Sequence, residues 1–147
     1  MIPYALTLLL LLSQQDPDKM STVRAYVFTE TSASGQASPE EQGRLEAVKE
    51  MREALAKKKG ITVVDDRANA TLFVEVLDRE QGEEPTGPFG GKSITKMGDT
   101  IIRLHIHSGK DEADIKGLGQ GTWGRAAKDA ADRILKWIAR REPKRNG

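Results

Sequence analysis

The chain has 147 residues, a formal net charge of +1 and no cysteine. A chain of this length is typical of one domain that buries its core without disulfides or metals, and the missing cysteines exclude thiolate chemistry. Basic and acidic residues nearly balance, at 23 and 22, so the charge gives no global attraction to nucleic acid and we expect no nucleic-acid partner.

An apolar run occupies residues 2–12 and is followed by Ser13. It is too short to span a bilayer as a helix, but it has the size of the apolar region of a secretory signal. We therefore interpret residues 1–21 as a signal-like segment with a linker, and expect a periplasmic or secreted protein cleaved near Ser13. No Lys or Arg precedes the run, so an uncleaved apolar tail or a different start codon is the alternative.

Residues 22–142 are predicted to form a single α/β domain, with a basic tail at 143–147. Its first strand is Val23–Glu30, where apolar and larger polar or aromatic side chains alternate. The alternation directs Tyr26 and Phe28 to the same face of that strand.

A helix is predicted to begin after Ser38, with Pro39 at its first position and Glu41 completing a capping box. Gly60 is the expected left-handed terminator. The helical spacing predicts an apolar stripe of Leu45, Val48, Met51 or Arg52, and Leu55, with Ala47 and Ala54 beside it.

Four more strands are predicted. They are Ile61–Val64, Thr71–Arg79, Thr100–His107 and a weaker Glu112–Gly117 that completes a hairpin with the strand before it. The first of these follows the helix directly, so it is expected to lie parallel to Val23–Glu30 in a crossover unit.

The last helix is predicted at Trp123–Arg141, with an alanine-rich apolar stripe and Pro143 after its end. The resulting order is β-α-β-β-β-β-α. We therefore predict an α+β fold, a two-layer sandwich with a mixed sheet and both helices on one face.

The sheet face opposite the helices is the main candidate binding surface. It is predicted to carry Arg24, Tyr26, Phe28, Phe73, Glu75, Leu77, Ile101, Arg103, His105 and His107. A face this aromatic typically meets a protein or other envelope component, or a second copy of the chain as a homodimer. The alternative is that the loop Gly82–Gly98 covers it; this loop is itself a candidate binding segment through Phe89 and Lys92.

His105 and His107 project from the same strand face, where they could ligate zinc together with Glu75 or Asp78. The chain has no other histidine, and Arg103 beside them opposes a cation. We therefore expect no metal, no cofactor and no catalytic residue. A metal-dependent or hydrolytic enzyme centred on the two histidines is the alternative.

The chain resembles small periplasmic modules in the stretch from Gly60 to Asp66, in Ala68–Ala70 leading into Thr71–Val76, and in the following hairpin and alanine-rich helix. Such modules are typified by the amino-terminal domain of the Tol translocation protein, and include the lipoproteins that activate penicillin-binding proteins and the curli-secretion lipoprotein. The chain differs from the lipoproteins in lacking a lipidation cysteine. The resemblance implies an adaptor that binds envelope proteins and catalyses nothing.

Together these features predict an exported, non-catalytic binding or adaptor module of the cell envelope that acts through its open sheet face and the 82–98 loop. Nucleic-acid binding through the basic C-terminal tail is a second alternative, which would show a steep dependence on salt.

Overall fold

The computed structural model describes residues 22–81 and 99–141. The elements are β1 (Val23–Phe28), α1 (Pro39–Ala56), β2 (Ile61–Val63), a 3-10 turn (Arg67–Asn69), β3 (Leu72–Gln81), β4 (Asp99–Ser108), β5 (Asp111–Gln120) and α2 (Trp123–Arg141). The predictions for the signal-like segment, for Phe89 and Lys92 in the 82–98 loop, and for the basic tail lie outside the described residues.

The five strands form one mixed sheet in the order β2-β1-β3-β4-β5. The first three run parallel to one another, since β1 pairs in parallel with both β2 and β3. The two remaining pairings, β3 with β4 and β4 with β5, are antiparallel. The predicted element order and the mixed two-layer fold are confirmed.

The core lies between one face of this sheet and both helices. The strands contribute alternate residues, including Ala25, Val27, Leu72, Val74, Val76, Ile102, Leu104, Ile106 and Ile115; the helices contribute Ala47, Met51, Leu55, Ala126, Ala127, Ala130, Ala131 and Ile134. Each large side chain buried in this way stabilises the fold by about 1.5–3 kcal/mol. The two helices also contact each other through an ion pair between Lys58, just after α1, and Asp132 of α2.

The ends of α1 follow the sequence signals. The Ser38 hydroxyl accepts a hydrogen bond from the Glu41 N–H at 3.2 Å, and Gly60 has a φ of +84°. The predicted apolar stripe is only partly right, because Leu45 is 42% exposed. The buried row runs i, i+4, i+8 from Ala47 through Met51 to Leu55, so the predicted Met51 and Leu55 are buried while Leu45 lies outside that row.

Two features of the sheet were not predicted. The strand β5 extends to Gln120, beyond the expected end at Gly117. The pairing of β3 with β4 is interrupted by a bulge between Val76 and Asp78, which leaves Leu77 45% exposed. A bulge changes which face the following residues occupy, so Arg79 pairs opposite the buried Ile102, on the helix side of the sheet.

Within the described ranges, neither helix has both the length and the apolar character that crossing a membrane requires.

Candidate functional site: the open sheet face

The open face is the side of the sheet opposite the helices. Of the ten residues predicted on this face, seven are arranged together by the strand pairing: Tyr26, Phe28, Phe73, Glu75, Arg103, His105 and His107. The strand register arranges them in rows across β1, β3, β4 and β5. One row is Tyr26, Phe73, His107 and Glu112; the next is Phe28, Glu75, His105 and Asp114; and a third contains Asp78, Arg103 and Lys116.

One half of this face is an aromatic patch, formed by Tyr26, Phe28, Phe73 and His107. The Tyr26 and Phe28 rings stack with centroids 5.5 Å apart, and the Phe73 and His107 rings stack at 4.6 Å with an interplanar angle of 10°. Tyr26 meets Phe73 edge-on at 6.4 Å. All four side chains are half-buried, so their packing against one another leaves ring surface in contact with solvent.

The segment between β2 and β3 crosses part of the open face. Its backbone is fixed to β1, since the Thr71 N–H donates to the Arg24 carbonyl at 2.8 Å and Arg24 Nε donates to the Asn69 carbonyl at 2.5 Å. The Arg67 guanidinium then lies 5.1 Å from the Phe28 ring centroid and 5.6 Å from that of Phe73. Both distances are within the range of a cation–π contact, so the aromatic patch already holds one cation of its own chain.

The other half of the face is acidic and surrounds His105. Its Nδ1 lies 2.7 Å from Asp114 Oδ1, and its Nε2 lies 3.6 Å from Glu112 Oε2. The hydrogen bond that the Asp114 carboxylate accepts raises the pKa of His105 above its ordinary value; burial opposes this, and the charges of Asp114, Glu112 and Glu75 add to it. The two histidines therefore differ, since His105 is held by carboxylates while His107 packs on a ring.

Arg103 already forms an ion pair within the same face. Its guanidinium donates to Glu80 Oε2 at 3.2 Å, and this bond is the main cause of a lowered pKa at Glu80. Towards the same end of the sheet, a shallow cavity of about 350 Å³ is lined by Asp99, Leu118, Gly119 and Gln120. This cavity does not include either histidine.

In residues 22–81 and 99–141, no group of three or more His, Asp and Glu side chains has an arrangement that could hold a metal ion. Of the two carboxylates considered as a third ligand, Glu75 pairs opposite His105 and Asp78 pairs opposite Arg103. The bulge at Leu77 separates these two positions along β3.

The sequence did not single out the acidic residues Glu112 and Asp114, nor Arg67. The first two could have been found, because the alternation of the predicted fifth strand already directs them to the same face as His105. Arg67 could not, since its position depends on where the segment between β2 and β3 passes over the sheet.

The fold and this face define a two-layer α+β domain with an open, partly aromatic sheet. Neither protein-family models nor curated protein sequences give a match to the chain.

Proposed function

We propose that the protein is a non-catalytic binding module that recognises a protein partner through its open sheet face. The observation that supports this proposal is the aromatic patch, four half-buried rings on the face of the sheet that neither helix covers. Aromatic residues in a flat, partly exposed cluster are typical of the centre of protein interfaces, and a polar rim like the one formed by His105, Asp114 and Arg103 usually surrounds them.

The charges on the face favour a protein over a nucleic acid. Aromatic side chains on a sheet can stack on bases, but phosphates would also have to approach Glu75, Glu112 and Asp114. Arg103 already pairs with Glu80, and Arg67 lies over the rings. Lys116 is the remaining basic side chain in these rows, and its charge acts on Glu80. The face therefore offers little basic charge for a phosphate backbone.

We further propose that the module acts in the cell envelope. The apolar run before Ser13 and the resemblance to periplasmic adaptors support this part of the proposal. Intact-mass measurement on the native protein from separated cell fractions tests it. A chain cleaved near Ser13 and found outside the cytoplasm is expected, and a cytoplasmic chain that keeps Met1 would refute it.

The binding face is tested by site-specific photo-crosslinking in the native cells. A crosslinker at Tyr26 is expected to give a discrete adduct, whereas one at Lys49, on the exposed side of α1, is expected to give none. The captured protein is then purified, and its affinity is measured against Phe73→Ala and against Leu45→Ala. Leu45→Ala is the matched control, because it removes a partly exposed apolar side chain on the helix side.

Phe73→Ala is expected to weaken binding by about tenfold or more, as for a central aromatic contact. Leu45→Ala is expected to leave the affinity unchanged. Equal crosslinking from Tyr26 and Lys49, or equal affinities for the two alanine variants, would contradict the proposal.

The contact between His105 and Asp114 favours one alternative, a hydrolase in which His105 acts as a general base oriented by the carboxylate. Replacing His105 and His107 by alanine separates the two functions. An enzyme loses turnover of a chromogenic ester such as p-nitrophenyl acetate, while a binding module has no turnover to lose and changes at most in affinity.

A further inference from the structure

The two edges of the sheet differ in how they are protected. The β2 edge is only three residues long, and a short edge strand offers little to pair with. The β5 edge has ten residues, contains no proline, and pairs with β4 without any register shift. A long, regular edge of this kind is a surface that can pair with another strand.

The outward backbone groups of β5 belong to its even-numbered residues. Leu118 donates its N–H to Asp129 Oδ2 of α2 at 2.8 Å, and the Gln120 carbonyl accepts from Arg125 at 3.4 Å. Because direction alternates along a strand, the N–H and C=O groups of Glu112, Asp114 and Lys116 also point away from β4. Those groups make no hydrogen bond to any residue in the described ranges.

We propose that the chain forms a two-fold dimer in which β5 of one copy pairs antiparallel with β5 of a second copy. The two-fold axis passes midway between Ile115 of one copy and Ile115 of the other. Asp114 then lies opposite Lys116 of the second copy, and Lys116 lies opposite its Asp114. This arrangement forms two cross-strand pairs of opposite charge at the centre of the interface.

Charge complementarity selects this register over its neighbours. An axis at Asp114 would place the two Asp114 side chains opposite each other, and an axis at Lys116 would do the same with the lysines. Like charges directly opposite in a sheet are destabilising. Only an axis at Ile115 gives opposite pairs without a like pair among the charged residues of the edge.

The α2 side chains limit the length of this pairing. Asp129 holds the Leu118 N–H, so at each end of the interface Leu118 can only accept a hydrogen bond, from Glu112 of the second copy. The dimer is therefore expected to be held chiefly by the central residues 114–116 and to dissociate at low concentration.

Such a dimer would join two five-stranded sheets into one, with both open faces on the same side. The inference does not rest on the proposed function, since it uses the edge of the sheet and not its aromatic patch. If both hold, the dimer presents two binding faces to one partner or surface, and linkage of this kind raises the overall affinity.

Sedimentation equilibrium of the full chain over a range of concentrations tests the proposal. We expect a reversible monomer–dimer equilibrium that is weakened about tenfold by Asp114→Lys or by Lys116→Asp, each of which creates like pairs. The double variant D114K/K116D restores opposite pairs and is expected to regain the dimer. Lys49→Glu and Glu53→Lys, charge reversals on the exposed side of α1, are the controls and are expected to change nothing.

Hydrogen exchange provides a second measurement on the unmodified chain. The amides of Asp114 and Lys116 are expected to become protected as the concentration rises, while the Leu118 amide, already bonded to Asp129, is protected throughout. A chain that is monomeric at every concentration would overturn the proposal, and the β5 edge would then be available only to a strand of another protein. A double variant as weak as the single ones would overturn it too.

Discussion

Gly117 of β5 lies directly against the backbone of Ala126 of α2. A Cβ atom at position 117 would be 2.3 Å from the Ala126 carbonyl oxygen and 2.6 Å from the Ala130 Cβ, far closer than atoms can pack. At Gly119 it would be 2.5 Å from the Ala126 nitrogen and 2.7 Å from Thr100 Oγ1. The absence of two side chains on the strand, together with small residues on the helix, therefore determines how closely α2 lies on the sheet.

Gly117→Ala is expected to destabilise the protein, because the added methyl meets backbone atoms that cannot move without shifting the helix. Overpacking of this kind lowers the free energy of unfolding by about 1–3 kcal/mol. The loss is measured by urea unfolding, in which the variant should have a lower midpoint concentration. Gly43→Ala in α1 is the control. Apart from its chain neighbours and the backbone of its own helix, no described atom lies within 4 Å of its Cβ position, so it is expected to stabilise by about 0.5–1 kcal/mol through helix propensity. Equal effects of the two substitutions would contradict the close approach.

The strand faces could be predicted because one side of the sheet is buried. Alternation placed Tyr26, Phe73 and His107 together without any knowledge of the pairing, and the structure puts these three in one row. If the pairing register of such a strand shifted by one residue, its core side chains would be exposed. The apolar pattern alone therefore determines which side chains point to the open face.

Other parts of the site depend on interactions that a sequence pattern does not encode. Gly117 and Gly119 resemble strand breakers locally, yet they lie within β5 because a helix backbone occupies the space above them. The bulge at Leu77 interrupts an otherwise regular alternation and turns Arg79 toward the helices. Arg67 reaches the aromatic patch only because the crossover after β2 passes over the open face.

Arg79 connects β3 to both helices. Its guanidinium lies 3.9 Å from the Trp123 ring centroid and donates to Glu46 Oε2 at 2.9 Å, while its side chain is only 16% exposed. A double-mutant cycle with Arg79→Ala and Trp123→Ala is expected to give a coupling free energy of about 1 kcal/mol in unfolding measurements. The pair Arg79→Ala and Trp137→Ala is the control, and its two effects are expected to add.

The loop before α1 is held by a buried carboxylate. Glu41 accepts from the Ser32 N–H at 3.0 Å and from the Ser32 hydroxyl at 2.8 Å. The hydroxyl is the largest cause of a lowered Glu41 pKa; burial opposes it, and the backbone N–H groups of Ser32 and Ser38 add to it. A lowered pKa contributes stability above the ordinary value of 4.5, and this contribution is lost as the pH falls through the folded pKa.

Ser32→Ala is therefore expected to raise the pKa of Glu41. This pKa is measured by a carbon-13 NMR titration of the Glu41 carboxyl group. The substitution should destabilise the protein more at neutral pH than at a pH below the folded pKa of Glu41. Ser34→Ala is the matched control, since the Ser34 hydroxyl contacts Ser32 and makes no hydrogen bond with the carboxylate in the described ranges. A Glu41 titration unchanged by Ser32→Ala would argue against the bond.

His105 gives the opposite dependence on pH. Its pKa is raised chiefly by the hydrogen bond that Asp114 accepts from it, so the imidazole binds a proton more tightly in the folded state than in the unfolded chain. The resulting stability is fully present below the ordinary value of 6.5, and it is lost as the pH rises through the raised folded pKa. Because the side chain is 31% exposed, solvent screening keeps this contribution small.

Asp114→Asn is expected to lower the pKa of His105 toward its ordinary value, measured by NMR titration of the imidazole ring protons. Glu112→Gln should lower it less, because the Glu112 carboxylate lies 3.6 Å from Nε2 whereas Asp114 lies 2.7 Å from Nδ1. Asp111→Asn is the control; Asp111 pairs with Arg141 instead. An equal shift from all three substitutions would mean that general surface charge, and not the contact with Asp114, sets the titration of His105.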